Sequence, residues 1–118
     1  FEVSVRLNSR IRTHNLSLTP TPNAIISGGV IRYTTNFMTV DTEGSSATDD
    51  LDTVLGGTPG DILILSALNN TRDIVVKDGT GNLRTAGDFT LDNRHDKIMF
   101  IQNTGGDWNE ISRSDNSI

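Results

Sequence analysis

A chain of 118 residues and 12.8 kDa holds one domain, and with 34% apolar and 5% aromatic residues amid abundant Ser, Thr, Asn and Gly it resists helices and predicts an all-β fold. The net charge of −5 leaves no basic stripe for a duplex nucleic acid, and the absence of cysteine removes disulfides, thiolate zinc sites and cysteine nucleophiles. The longest apolar runs, Ile62–Leu65 and Ile98–Ile101, are far too short to span a bilayer.

The chain opens with Phe1 rather than Met and shows no secretory signal, so residues preceding Phe1 were processed away or lie outside this sequence. From Glu2 to Arg12 the odd positions Val3, Val5, Leu7 and Ile11 alternate with the polar Ser4, Arg6, Asn8, Arg10 and Arg12, which is the period of a half-buried strand. Thr19-Pro20-Thr21-Pro22 follows as an extended link, because each proline fixes φ and restricts the residue before it. Residues 1–22 therefore read as an N-terminal strand or arm with a proline linker, and residues 23–118 as a β-rich oligomerisation domain. Arg6, Arg10, Arg12 and Arg32 against Glu2 give the first 40 residues a surplus of three positive charges, so the remainder carries −8. A basic, alternating arm (Val3, Val5, Arg6, Leu7, Arg10, Arg12) can dock on the acidic body of another molecule; its alternative is an ordinary first strand of the same domain.

Ala24 to Val40 reads as two strand-like pieces around Gly28-Gly29. Within Asp41–Asp52 five carboxylates and no base precede Val54, and one short helix near 48–55, capped by Thr48 or Asp49 and stopped by Gly56-Gly57, is the expected element. Beyond Gly60 short apolar bursts, Ile62–Leu65, Ile74–Val76 and Ile98–Ile101, alternate with Gly- and Asn-rich turns. Gly-Asp introduces an apolar stretch at Gly60, Gly87 and Gly106; the spacings of 27 and 19 residues are too unequal for a regular solenoid and read as recurring turn chemistry.

The runs Ile-Leu-Ile-Leu and Ile-Met-Phe-Ile place apolar side chains on both faces of a strand, so both faces need cover. No helix is available to provide it. Sister copies are the expected cover, which predicts short antiparallel strands in a sandwich- or prism-like, threefold intertwined oligomer; a monomeric sandwich is the alternative. The expected shared core or interface comprises Ile62, Ile64, Ile74, Val76, Phe89, Leu91, Ile98, Phe100, Trp108 and Ile111.

Residues 41–116 resemble a module of tailed-bacteriophage virion appendages. The likeness is carried by Val40-Asp41-Thr42-Glu43-Gly44, Asp49-Asp50-Leu51-Asp52-Thr53-Val54, Gly56-Gly57-Thr58-Pro59-Gly60-Asp61, Ile74-Val75-Val76-Lys77-Asp78-Gly79, Ala86-Gly87-Asp88-Phe89-Thr90-Leu91 and the ending Trp108-Asn109-Glu110-Ile111-Ser112-Arg113-Ser114. It implies a β-rich, threefold assembly in the virion, as part of a tail fibre, spike or head decoration. The implied partners are capsid or tail proteins. A host glycan- or receptor-binding tip, and a capsid cement protein bridging capsomers through its arm, are the alternative roles.

Enzyme chemistry finds no purchase in these residues. The two histidines, His14 and His95, sit in turn-like surroundings, and neither lies in a nucleophile elbow. Ser114-Asp115-Asn116 matches one β-lactamase triplet, but no Ser-x-x-Lys or Lys-Thr-Gly accompanies it. Asp41, Glu43, Asp49, Asp50 and Asp52 lack the spacing of a helix-loop-helix calcium site, so no metal or cofactor is expected. Trp108, the lone tryptophan, is either a core anchor or a stacking platform for a sugar, and its place at a strand start beside Ile111 favours the anchor.

Overall fold

A computed structural model describes residues 16–116. The alternating segment 2–12 and the arm residues Val3, Val5, Arg6, Leu7, Arg10 and Arg12 lie outside the described residues.

The described chain is all β, as its composition predicts. Its strands are β1 (Thr21–Ile25), β2 (Val30–Arg32), β3 (Phe37–Asp41), β4 (Thr48–Leu51), β5 (Thr53–Leu55), β6 (Ile62–Ala67), β7 (Asp73–Val76), β8 (Leu83–Arg84), β9 (Phe89–Leu91), β10 (Lys97–Gln102) and β11 (Trp108–Ser114). They form a six-stranded sheet in the order β1-β3-β6-β10-β11-β8, a pair β2-β5 and a triplet β4-β7-β9. The expected boundary after residue 22 falls inside β1, which pairs with β3.

Pairing is mostly parallel, where short antiparallel strands were expected: β1 with β3, β3 with β6, β2 with β5, β4 with β7 and β8 with β11 run the same way. Parallel neighbours need a long return, ordinarily a helix. Here the return runs through the other two sheets. The chain visits the pair, the large sheet and the triplet as β2, β3, β4, then repeats the circuit as β5, β6, β7. Val30 pairs with Thr53, Phe37 with Ile64 and Thr48 with Asp73, so each face is revisited after 23, 27 and 25 residues. That is a two-turn coil. Its repeat is set by the strands and is invisible in the Gly-Asp pairs, which mark turns instead: Gly60, Gly87 and Gly106 all have φ near +90 to +106° or just below, the left-handed region open to glycine. After β7 the direction reverses. β9 lies antiparallel to β7 and β10 antiparallel to β6, and β11 returns along β10.

The segment expected as a helix near 48–55 is two strands, with a single 3-10 turn just ahead of it at Glu43–Ser45. Tertiary pairing overrides the cap-like local pattern: β4 is fixed along β7, and Asp49 accepts a hydrogen bond from the Glu43 amide at 2.7 Å instead of capping a helix.

A single cluster fills the space between the sheets, with Ile26, Leu51, Val54, Leu63, Leu65, Ile74, Val76, Leu83, Leu91, Ile98, Phe100 and Trp108 fully enclosed by one chain. Every buried side-chain nitrogen or oxygen among the described residues has a partner. Asn82 shows how the turns are joined. Its amide oxygen accepts from the Val54 N–H at 2.9 Å and its amide nitrogen donates to the Val54 carbonyl at 2.7 Å, so one side chain stands in for a strand neighbour. The Trp108 indole N–H also donates to that carbonyl, at 3.1 Å, and its ring packs 5.1 Å from Tyr33. Gly81 lies so close to the Asp52 carbonyl and the Thr53 hydroxyl that a Cβ has no room.

Candidate functional site

Of the ten residues expected at a core shared between copies, Ile74, Val76, Leu91, Ile98, Phe100 and Trp108 lie inside the single chain's own core. One chain covers them; no sister copy is needed for their burial. Trp108 is thereby an anchor, with its indole enclosed and hydrogen-bonded, and offers no exposed ring for a sugar. Of the other four, Ile62, Ile64 and Phe89 are half-buried, Phe89 against the core, and Ile111 is exposed. Phe89 is half-buried beneath Arg113, whose guanidinium carbon stands 4.7 Å from the ring centre. Ile111 is 51% exposed, as the extra residue at the irregularity where β11 passes from Ser112 opposite Met99 to Glu110 opposite Phe100.

Ile62 and Ile64 belong to the outer side of the six-stranded sheet. Because side chains alternate along a strand, Leu63, Leu65, Ile98 and Phe100 point inward while Ile62, Ile64, Met99 and Ile101 point outward. Register brings the outward residues into rows across the sheet. One row is Phe37, Ile64, Met99 and Ser112; beside it run Ile62, Ile101 and Asn109 on one flank and Thr39, Ser66, Lys97 and Ser114 on the other. The middle row lines a depression of about 340 Å³ together with Lys97, Arg113 and Ser114. Phe37, Lys97, Met99 and Ile101 were not singled out by sequence reasoning. Their signal is present in the two-faced runs themselves, half of which must turn away from the core.

These rows carry no carboxylate in a chain with fifteen acidic residues. Their one cation is Lys97, whose ammonium donates to the Arg94 carbonyl at 2.7 Å and the Ser66 hydroxyl at 3.1 Å; burial lowers its pKa, with Asp96 opposing that shift. Arg113 grips Glu110 through two bonds of 2.7 and 2.8 Å and donates to the Gly87 carbonyl at 2.8 Å. This pairing holds the Glu110 carboxyl below its ordinary pKa. At the far end of β3, Asp41 is tied to Arg72 by bonds of 2.7 and 2.9 Å, which likewise lower its pKa.

The acidic segment has structural uses. Glu43 accepts from the Gly28 amide at 2.9 Å, and Asp41 and Asp49 are occupied as described. Asp92, Asp96 and Asp115 bring carboxylate oxygens within 4.8 Å of one another, but the buried Asp96 accepts from the backbone amides of Asp92 at 3.2 Å and Asn116 at 2.7 Å, securing the end of β11 to the turn before β10. His95 is exposed in that turn. Ser114 hydrogen-bonds Asn116 at 2.8 Å, a local contact. No helix is long and apolar enough to cross a membrane among the described residues. No family model matches the chain, and no curated protein or solved structure matches it.

Proposed function

We propose that this chain is a non-enzymatic structural module that works as a homotrimer in a bacteriophage virion, as part of a fibre, spike or head decoration in contact with capsid or tail proteins. The observation that carries self-association is the outer face of the six-stranded sheet, where Phe37, Ile62, Ile64, Met99 and Ile101 lie together without a carboxylate on an otherwise acidic molecule. The surplus of acidic charge repels identical copies, so an apolar area without carboxylates is where copies can meet. The virion assignment is supported by the resemblance of residues 41–116. A mechanical role fits a coil whose turns are joined by main-chain ladders and by polar side chains such as Asn82. The glycan-tip reading has less support, because Trp108 is enclosed. Native mass measurement tests the proposal: about three chain masses of 12.8 kDa are expected, and a single chain mass at every concentration overturns it.

A further inference from the structure

The depression around Ile64 and Met99 is concave, and two hollows placed face to face leave a void between them. It fits a narrow inserted element. Four strands about 4.8 Å apart span about 14 Å, and an extended segment of five residues is about 17 Å long. These dimensions suit one strand, whereas two globular surfaces in a standard contact each cover about 800 Å².

The sequence holds one segment with the complementary pattern. Val3, Val5, Leu7 and Ile11 recur on one side of a period-two alternation, while Arg6 and Arg10 fall on the other. We infer that residues 3–11 of a second copy of this chain fill the depression, laying Val5 and Leu7 against Ile64 and Met99. This rests on the self-association proposed above and names the element that produces it.

The start of the described chain selects a second copy over the molecule's own segment. β1 occupies the edge of the sheet beside β3, and four of the five residues leading into it are turned to solvent: Leu16 is 84% exposed and Ser17, Thr19 and Pro20 are exposed, with Leu18 half-buried between them. The described chain thus begins on the solvent side of the sheet's edge strand, where a preceding segment can reach a second copy. Pro20, just ahead of β1, fixes its own φ and keeps Thr19 extended. The segment's arginines alternate away from the side that would meet Lys97, so the contact brings no like charges together.

Unique thiols test the contact, because the chain has no cysteine. Leu7→Cys and Met99→Cys variants, mixed in equal amounts with oxidised glutathione, are expected to yield a disulfide-linked pair with one chain of each kind. Leu7→Cys mixed with Thr80→Cys, at an exposed turn away from the sheet face, is the control and is expected to yield at least tenfold less. Equal linking to Thr80→Cys overturns the inference. So does a Leu7→Cys/Met99→Cys double variant that links only within single chains. In a second measurement, Val5→Asp with Leu7→Asp in the full chain is expected to raise the concentration of half-association tenfold or more, without loss of folding, since the core among the described residues is built from residues 26–108. Unchanged association overturns the arm's role but leaves the homotrimer standing; a wild-type chain that is monomeric throughout overturns both.

Discussion

Strands β6 and β10 have two faces of nearly equal greasiness and opposite fates. Leu63, Leu65, Ile98 and Phe100 are sealed between the sheets, whereas Ile62, Ile64 and Met99 are half-buried and Ile101 is 38% exposed on the outside. Hydrophobicity alone does not distinguish them. The difference comes from what lies opposite: the inner side meets the coil's other two sheets, and no sheet lies over the outer side within the described residues. The inner face is thus a stability surface, and the outer face is the one proposed for association.

The sharpest way to break this contrast is Phe100→Ala, for which a loss of about 3–5 kcal/mol is expected in urea unfolding, as for other buried aromatics. A loss below about 1 kcal/mol would remove Phe100 from the core. Asn82→Ala should cost about 2 kcal/mol, because it strands the Val54 N–H between turns of the coil. Were Asn82→Asp to match wild type, the side-chain N–H bond to the Val54 carbonyl would be dispensable. On the outer face, Ile64→Ser is expected to change unfolding by less than about 1 kcal/mol yet lower the native mass, and a deficit as large as that of Phe100→Ala would erase the distinction.

Acid should produce the smallest and most gradual effect. Asp41 and Glu110 have pKa values lowered in the folded chain by Arg72 and Arg113, so the unfolded chain binds protons first as pH falls. Their stabilisation is present above the ordinary carboxylate range near pH 4 and is lost as pH drops through the lower folded values. Asp41→Asn should flatten that part of the stability curve; an unaltered acid slope would show that the Arg72 pair contributes nothing to it.

The sequence announced the strands better than their partners. Ile62–Leu65 and Ile98–Ile101 were legible as two-faced strands, and Gly60, Gly87 and Gly106 as turn positions, because alternation and positive φ are local properties. Parallel stacking at intervals of 23–27 residues leaves no such local mark: Thr48–Leu51 gains its conformation from Asp73–Val76, and its acids imitate a helix cap when read alone. The outer face was half visible for the same reason. Ile62 and Ile64 could be picked out, but which alternate residues of β10 accompany them depends on the register Met99 to Ile64 and Ile101 to Ile62, fixed only when the sheet is assembled.

The reversal after β7 bears on the order of manufacture. Trp108, which bridges to Val54 across 54 positions of sequence, and the strand that carries it leave the ribosome after the coil they close. A nascent copy holding only β2 to β7 has both circuits of its coil but lacks Ile98, Phe100 and Trp108 to close them, so maturation must wait for β10 and β11, and the many distant pairings make that a slow event compared with helical proteins of this size.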